Sequence, residues 1–340
     1  MILLITILMI LVGFIALYFG SKLVIRSLEN IAYRLEISHL MVGLTILAIG
    51  TSLPEIAISI SGGIDKLAGV SSNIDGIVIG NKVGSFFCQI TLILGILGLS
   101  RSIFVNKWVL KREGLMLFIS LIVFLLCAVD GVITRIEASI MIITYFMYLV
   151  LIIISERKIE QKKYKEEFYE KDELEQDYFE PMEQILKNTT LKQDIGIFLI
   201  GLCILLIAAE TTIIFSIQLA KSLDIPANVI GILIVGVGTS LPELAADLTA
   251  LRRRSEGLAV GDILGSNICD ILLATGLGAV ISEFNVALII ITFDIPMLFI
   301  ALCLSYCFLW TEKTLKKWEA LLLIGFFGFY AILKLLYFQI

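Results

Sequence analysis

Histidine is almost missing from this chain: His39 stands alone among 340 residues. A serine hydrolase needs a base beside its nucleophile, and the two serines singled out below, Ser52 and Ser240, have no histidine near them in sequence. That argues against an intramembrane protease or lipid hydrolase, and we assign His39 no role. Cysteine is present six times, at Cys88, Cys127, Cys203, Cys269, Cys303 and Cys307, but never in a C-x-x-C spacing. A zinc site of that type is therefore not expected, and all six fall in apolar stretches, where they read as small packing residues. Charge is also scarce. Only 17% of residues are charged, against about a quarter in an ordinary soluble domain.

Apolar residues fill the gap. They make up 59% of the chain, and the mean hydropathy is +0.99. Ten apolar runs cover about 2–25, 37–62, 76–100, 108–129, 133–155, 195–219, 225–250, 257–282, 285–310 and 315–338. Each matches the ~20 residues that a helix needs to cross the hydrocarbon core. The first run lacks a basic start and is too long for a signal peptide, so it reads as a spanning helix. The expected fold is an all-α polytopic membrane protein.

Basic residues are unevenly placed. One set of alternate loops holds Arg26, Arg34, Arg101, Lys107, Lys111, Arg112, Arg252, Arg253, Arg254, Lys313, Lys316 and Lys317; the other holds Lys66, Arg135 and Lys221. Cytoplasmic loops carry the excess of Lys and Arg. Both termini are therefore expected outside the cell and the stretch 156–194 inside. That stretch has eight basic and twelve acidic residues and reads as a solvated linker.

The sequence repeats itself. LEISHLMVGLTILAIGTSLPEI from Leu35 matches LDIPANVIGILIVGVGTSLPEL from Leu223, and the hexapeptide GTSLPE occurs at Gly50–Glu55 and Gly238–Glu243. A second block pairs DGIVIGNKVGSFFCQI from Asp75 with EGLAVGDILGSNICDI from Glu256. The offsets are 188 and 181 positions, so the first half carries seven extra residues, expected as a loop insertion in GGIDKLAGVSSNID. Each half, 1–155 and 195–340, holds five runs. An odd number makes the second half enter from the opposite side, giving two inverted five-helix repeats and ten transmembrane helices. Inverted repeats mark secondary transporters, with the substrate site near mid-membrane.

Carboxylates inside the membrane point to function. Glu55 and Glu243 each follow Gly-Thr-Ser-Leu-Pro. Pro54 and Pro242 cannot donate a backbone hydrogen bond, which should free the carbonyls of Gly50 and Gly238. Carbonyl, hydroxyl and carboxylate oxygens are hard ligands that suit Ca2+ and Na+. Thr51 and Glu55 share a helix face, as do Thr239 and Glu243. Asn81, Ser85 and Gln89 fall at i, i+4 and i+8, matched by Asp262, Ser266 and Asp270. Gly80, Gly84, Gly261 and Gly265 permit close helix approach.

With these blocks in view, the chain resembles the cation/Ca2+ exchanger superfamily, specifically its sodium/calcium exchanger branch of prokaryotic type. The match covers both repeats and leaves out the linker. The resemblance implies a central Ca2+ site built by Glu55 and Glu243, with backbone oxygens at Thr51 and Thr239. It implies sodium positions at Ser52, Ser85, Ser240 and Ser266, completed by carbonyls near Ala48 and Gly236, and an acid, Asp270, at the middle. It also implies that the first helix of each half slides to open one side at a time; Lys22 and Glu210 are the corresponding polar positions there. Four residues depart from the family pattern. Gln89 stands where Asn is usual, Asp247 where the first half has Ser59, Asp262 opposite Asn81, and Lys82 adds a cation, expected either to snorkel or to pair with an acid such as Asp262. Asp247 alternatively faces the cytoplasm near Arg252–Arg254. The expected function is exchange of Ca2+ for Na+ by alternating access, with H+ or K+ coupling and other divalent ions as alternatives. A channel would more usually draw its pore from several subunits. No cofactor is implied beyond the transported ions, the partners are the lipid bilayer and the cations rather than nucleic acid, and one chain completes the site as a monomer.

Overall fold

The computed structural model describes residues 2–34, 48–71, 73–101, 103–104, 107–167, 190–252, 256–311 and 314–337. His39, Arg253, Arg254 and Lys313 lie outside the described residues. In chain order the helices are α1 (Ile2–Arg34), α2 (Ala48–Thr51), α3 (Leu53–Leu67), α4 (Ile74–Phe87), α5 (Leu94–Ser100), α6 (Lys107–Ala128) and α7 (Arg135–Glu167). The later part holds α8 (Leu191–Leu223), α9 (Ala227–Ile230), α10 (Val237–Thr239), α11 (Leu241–Arg252), α12 (Glu256–Ile268), α13 (Thr275–Ile281), α14 (Ile295–Thr311) and α15 (Lys317–Tyr337). Wider π-helical turns cover Cys88–Ile93, Gly231–Gly236, Cys269–Ala274 and Ile290–Asp294. Four two-residue strands join them: β1 (Ile103–Phe104), β2 (Val132–Ile133), β3 (Phe284–Asn285) and β4 (Thr314–Leu315).

Eight segments among the described residues are long and apolar enough to cross a membrane. They begin at Leu3, Ile74, Arg135, Leu191, Ala227, Ala259, Ile290 and Lys317. The chain is thus a mostly helical, multi-pass membrane protein. Run 37–62 is described only from Ala48 onward, and α6 opens with Lys107, Lys111, Arg112 and Glu113. Lys111 and Arg112 therefore sit within a helix rather than in a loop, where their long stems carry the charge toward the helix end. Segments Ile74–Ser100 and Ala259–Ile281 are 78% and 89% buried, against 28% for Leu3–Val24. The two segments carrying the second sequence block therefore form the centre. Around them α1, α6, α7, α8 and α15 expose Leu, Ile, Phe and Val side chains, as a lipid-facing surface does.

The runs 37–62 and 225–250 are not single helices. Each breaks at the serine of GTSLPE, with φ −78 and ψ 5 at Ser52 and φ −83 and ψ 0 at Ser240. The proline comes next but one and opens a fresh helix, where a missing N–H leaves no bond unmade. The seven-residue insertion is also not a simple loop, because α3 continues through Gly62–Leu67. Gly62 and Gly63 survive there because their faces are pressed: a Cβ at Gly63 would lie 2.6 Å from the Gly278 carbonyl oxygen.

Contacts between the halves are reciprocal. β1 pairs antiparallel with β4, and β2 with β3. The register Ile103↔Leu315 in one ribbon corresponds to Phe284↔Ile133 in the other. A Cβ at Gly95 would meet the Ala320 carbonyl and Ile324; one at Gly276 would meet the Ala138 carbonyl and Ile142. Inside each half a matching pair recurs: the Tyr148 hydroxyl donates to Glu113, and the Tyr330 hydroxyl donates to Asp294 at 2.7 Å. Each carboxylate also has a basic partner, Arg112 at 2.7 Å and Lys334 at 2.5 Å. At the edge α1 and α8 run antiparallel, with Gly13 against Ala208 and Thr212 and Gly20 against Leu205. Lys22 and Glu210 are exposed on these two helices.

Candidate cation site

Four pieces of backbone meet at the centre: the two serine breaks, and α4 and α12 with the π-turns that continue them. Glycine lets α4 lie on the Gly231–Gly236 turn. A Cβ at Gly84 would sit 2.1 Å from the Ile232 carbonyl oxygen, and one at Gly236 would sit 2.6 Å from the Ser85 amide nitrogen. Contact this close carries the polar stripe of α4 onto the Gly238–Glu243 break. Gly261 has no described atom within 4 Å of such a Cβ, and the stretch 35–47, which the repeat places opposite it, lies outside the described residues.

Ser85 is the hub. Its hydroxyl lies 2.9 Å from the Ser240 hydroxyl, 3.2 Å from Asp270 Oδ2 and 3.4 Å from Glu55 Oε1. Gln89 bridges the halves: its Nε2 donates to Ser85 at 3.1 Å and Asp270 at 3.4 Å, and its Oε1 accepts from Ser266 at 2.8 Å. Asn81 donates to the Thr239 hydroxyl at 2.8 Å, and Thr51 donates to Asp262 Oδ1 at 3.2 Å. The Ser52 hydroxyl reaches the Ser266 carbonyl at 3.4 Å. The Gly236 carbonyl accepts from Ser240 Oγ at 2.8 Å and from Thr239 Oγ1 at 3.3 Å. Ala48 begins α2, one turn before the Ser52 break. Every expected site residue whose side chain is described comes to this cluster, and the polar ones are buried.

The carboxylates are incompletely satisfied. Glu55 Oε2, both oxygens of Glu243, Asp262 Oδ2, Asp270 Oδ1 and Asp247 Oδ2 are buried without a hydrogen-bond partner. Burying a charge alone is costly, and these oxygens are the acceptors in the cluster that remain open to a cation. Among the described residues no three acidic, cysteine or histidine groups converge closely enough to hold a metal by themselves. The donor set is mixed, with hydroxyl, carboxamide and carbonyl oxygens beside the carboxylates, which suits a hard cation.

Of the two placements open for Asp247 the structure shows the buried one, with the Asp262 carboxyl beside it. One expectation is corrected here: Lys82 does not pair with Asp262. Its Nζ donates to the Glu55 backbone oxygen at 2.5 Å and to Asn81 Oδ1 at 3.1 Å, while Asp262 is held by Thr51 on the far side of the duplicated pair. Sequence reading missed Asn267, whose Nδ2 donates to the Ile263 carbonyl at 2.6 Å and whose Oδ1 stays unpartnered beside the site. Ser59, which the sequence placed as the counterpart of Asp247 without a role, lies one turn after Glu55 with a buried hydroxyl that has no hydrogen-bond partner.

Comparison with known proteins identifies the family. The family model described as "Sodium/calcium exchanger protein" matches residues 5–154 and 194–336. The chain is 29% identical to the sodium/calcium exchanger MaX1 of Methanosarcina acetivorans, over 94% of this chain and 95% of that one. It is 30% identical to the putative antiporter CaxA of Alkalimonas amylolytica, over 80% of each. A solved structure of the sodium-calcium exchanger NCX_Mj, soaked with Na+ and Sr2+, superposes with a TM-score of 0.60 and 27% identity, over 96% of this chain and 97% of that one. With family model, relatives and solved fold in agreement over both halves, the chain belongs to the sodium/calcium exchanger protein family.

Proposed function

We propose that this protein is an antiporter that exchanges Ca2+ for Na+ by alternating access. The observation that carries the reading is the pair Glu55 and Glu243. Both are fully buried, and three of their four carboxylate oxygens have no partner. Two carboxylates are neutralised by one Ca2+ or by monovalent cations, so the two loads compete. Thr51, Thr239, Asp270 and Gln89 complete the Ca2+ position, and Ser52, Ser85, Ser240 and Ser266 serve Na+ with carbonyls at Ala48 and Gly236. Asn81, Asp247 and Asp262 form an outer set.

The architecture that goes with this is ten spans in two inverted five-helix halves, 1–155 and 195–340, joined by a cytoplasmic linker at 156–194 with both termini outside. The reciprocal ribbons support it. β1 and β2 stand at opposite ends of the 22-residue α6, about 33 Å apart at 1.5 Å per residue. An operation that swaps the halves swaps the two ribbons, so its axis lies in the membrane plane. The gate is formed by α1 and α8. Phe14 of α1 presses on the second break: a Cβ at Gly238 would sit 2.2 Å from its ring. A monomer contains the whole site.

Proton coupling is the second reading, favoured by the neighbouring carboxyls of Asp247 and Asp262, which repel unless a proton or cation lies between them. The deciding experiment is uptake of radiolabelled Ca2+ into liposomes holding the purified protein. Uptake driven by an outward Na+ gradient supports the first reading, and uptake driven by a pH gradient alone supports the second. No uptake under either gradient overturns Ca2+ as the substrate.

A further inference from the structure

Lys82 is the one basic side chain inside the described cluster, and its ammonium is fully buried. The duplication supplies an internal control. The position 181 residues later is Ile263, also buried. An apolar side chain therefore fits this place in the fold, and Lys82 is not demanded by packing. A buried ammonium is costly unless negative charge surrounds it.

The way Lys82 is held matters. Its two acceptors are a main-chain carbonyl and a carboxamide, at 2.5 and 3.1 Å. Among the described residues it forms no ion pair within 4.0 Å, although Asp270, Glu55 and Glu243 are the carboxylates whose charge it feels. Those three keep free oxygens at Glu55 Oε2, Asp270 Oδ1 and both positions of Glu243. The ammonium thus lowers the charge of the cluster without occupying the oxygens that a transported ion would use. Its acceptors are the oxygen types that bind a bare monovalent cation.

We propose that Lys82 is a resident counter-cation of the transport site, standing in for one transported monovalent ion. Three inner carboxylates against one ammonium leave two negative charges. One divalent ion or two monovalent ions balance them, so the exchange is electroneutral at two monovalent ions per divalent ion. With an apolar residue at position 82 the same carboxylates need a third monovalent ion, and the exchange carries net charge.

The proposal rests on the exchanger reading, and the test separates the two. Liposomes holding the purified protein are adsorbed to a solid-supported membrane and loaded with Na+. Ca2+ jumps are then recorded as current, with radiolabelled Ca2+ uptake measured in parallel. The wild-type protein is expected to take up Ca2+ with no transport current and with a Na+ Hill coefficient no greater than two. Lys82→Met is expected to produce a current and to raise the Hill coefficient by about one, while Lys82→Arg keeps the exchange silent. Sodium-driven uptake by the wild type that carries current overturns the Lys82 assignment alone, whatever the variants do. So does a Lys82→Met variant that transports without current. Absence of Na+-driven uptake by the wild type overturns the exchanger reading, and the proposal with it.

Discussion

Glutamine has nearly the shape of glutamate, so it removes the charge at Glu55 or Glu243 with little change in packing. Glu55→Gln and Glu243→Gln are each expected to abolish Ca2+ uptake in liposomes, while gel-filtration profile and thermal unfolding stay near wild type. Full transport in either would remove that residue from the site. Gln89 makes a finer test. Its amide spans from Ser85 to Ser266, and Gln89→Asn is one carbon too short to keep both ends. Losing one buried hydrogen bond costs about 0.5–1.5 kcal/mol, which predicts a fall in apparent Na+ affinity of roughly 2–10-fold, read from the Na+ dependence of uptake. At this scale the residues of the two repeated blocks were readable from the chain, because GTSLPE and G-[ND]-x-x-G-S recur with their polar positions in helical register. Lys82 and Asp247 were not. A side chain's partner depends on which neighbouring element stands within reach, and no spacing along the chain encodes that.

The packing of elements rests on a few places where backbones touch. At Gly84 a methyl group would meet the Ile232 main chain, which cannot swing aside as a side chain can. Gly84→Ala is expected to cost about 1–3 kcal/mol in unfolding of the detergent-solubilised protein. A second test lies away from the site. Lys334 and Asp294 are both fully buried and bonded to one another. Lys334→Met leaves an unpaired buried carboxylate, a loss of about 3–5 kcal/mol, and adding Asp294→Asn should recover much of it. The unfolding midpoints of single and double variants measure this. The corresponding pair of Tyr148 and Glu113 escaped sequence reading, because the residues around the two tyrosines share little and the acids differ in length. The serine breaks were foreshadowed by proline. The helical insertion at Gly62–Leu67 was not, since two adjacent glycines favour a loop until Val78 and Gly278 press against them.

For the whole molecule the orientation is the open quantity with a direct test. The excess of basic residues predicts that the linker lies inside. In a cysteine-free background, Lys171→Cys is expected to react with a membrane-impermeant maleimide only after intact cells are permeabilised, and labelling without permeabilisation would invert the topology. The sequence by itself determined the membrane class, the duplication, the acids at the centre and the resemblance to exchangers. These follow from local facts: run length against bilayer thickness, and repeated blocks with polar residues every four positions. Tertiary structure alone decided how the halves exchange contacts. β1 finds β4 while β2 finds β3, Gly95 and Gly276 each receive a helix from the opposite half, and Lys82 turns to Glu55 and Asn81. Such choices depend on shape and distance between segments far apart in the chain, and they are settled only when every buried polar group competes for the same few partners.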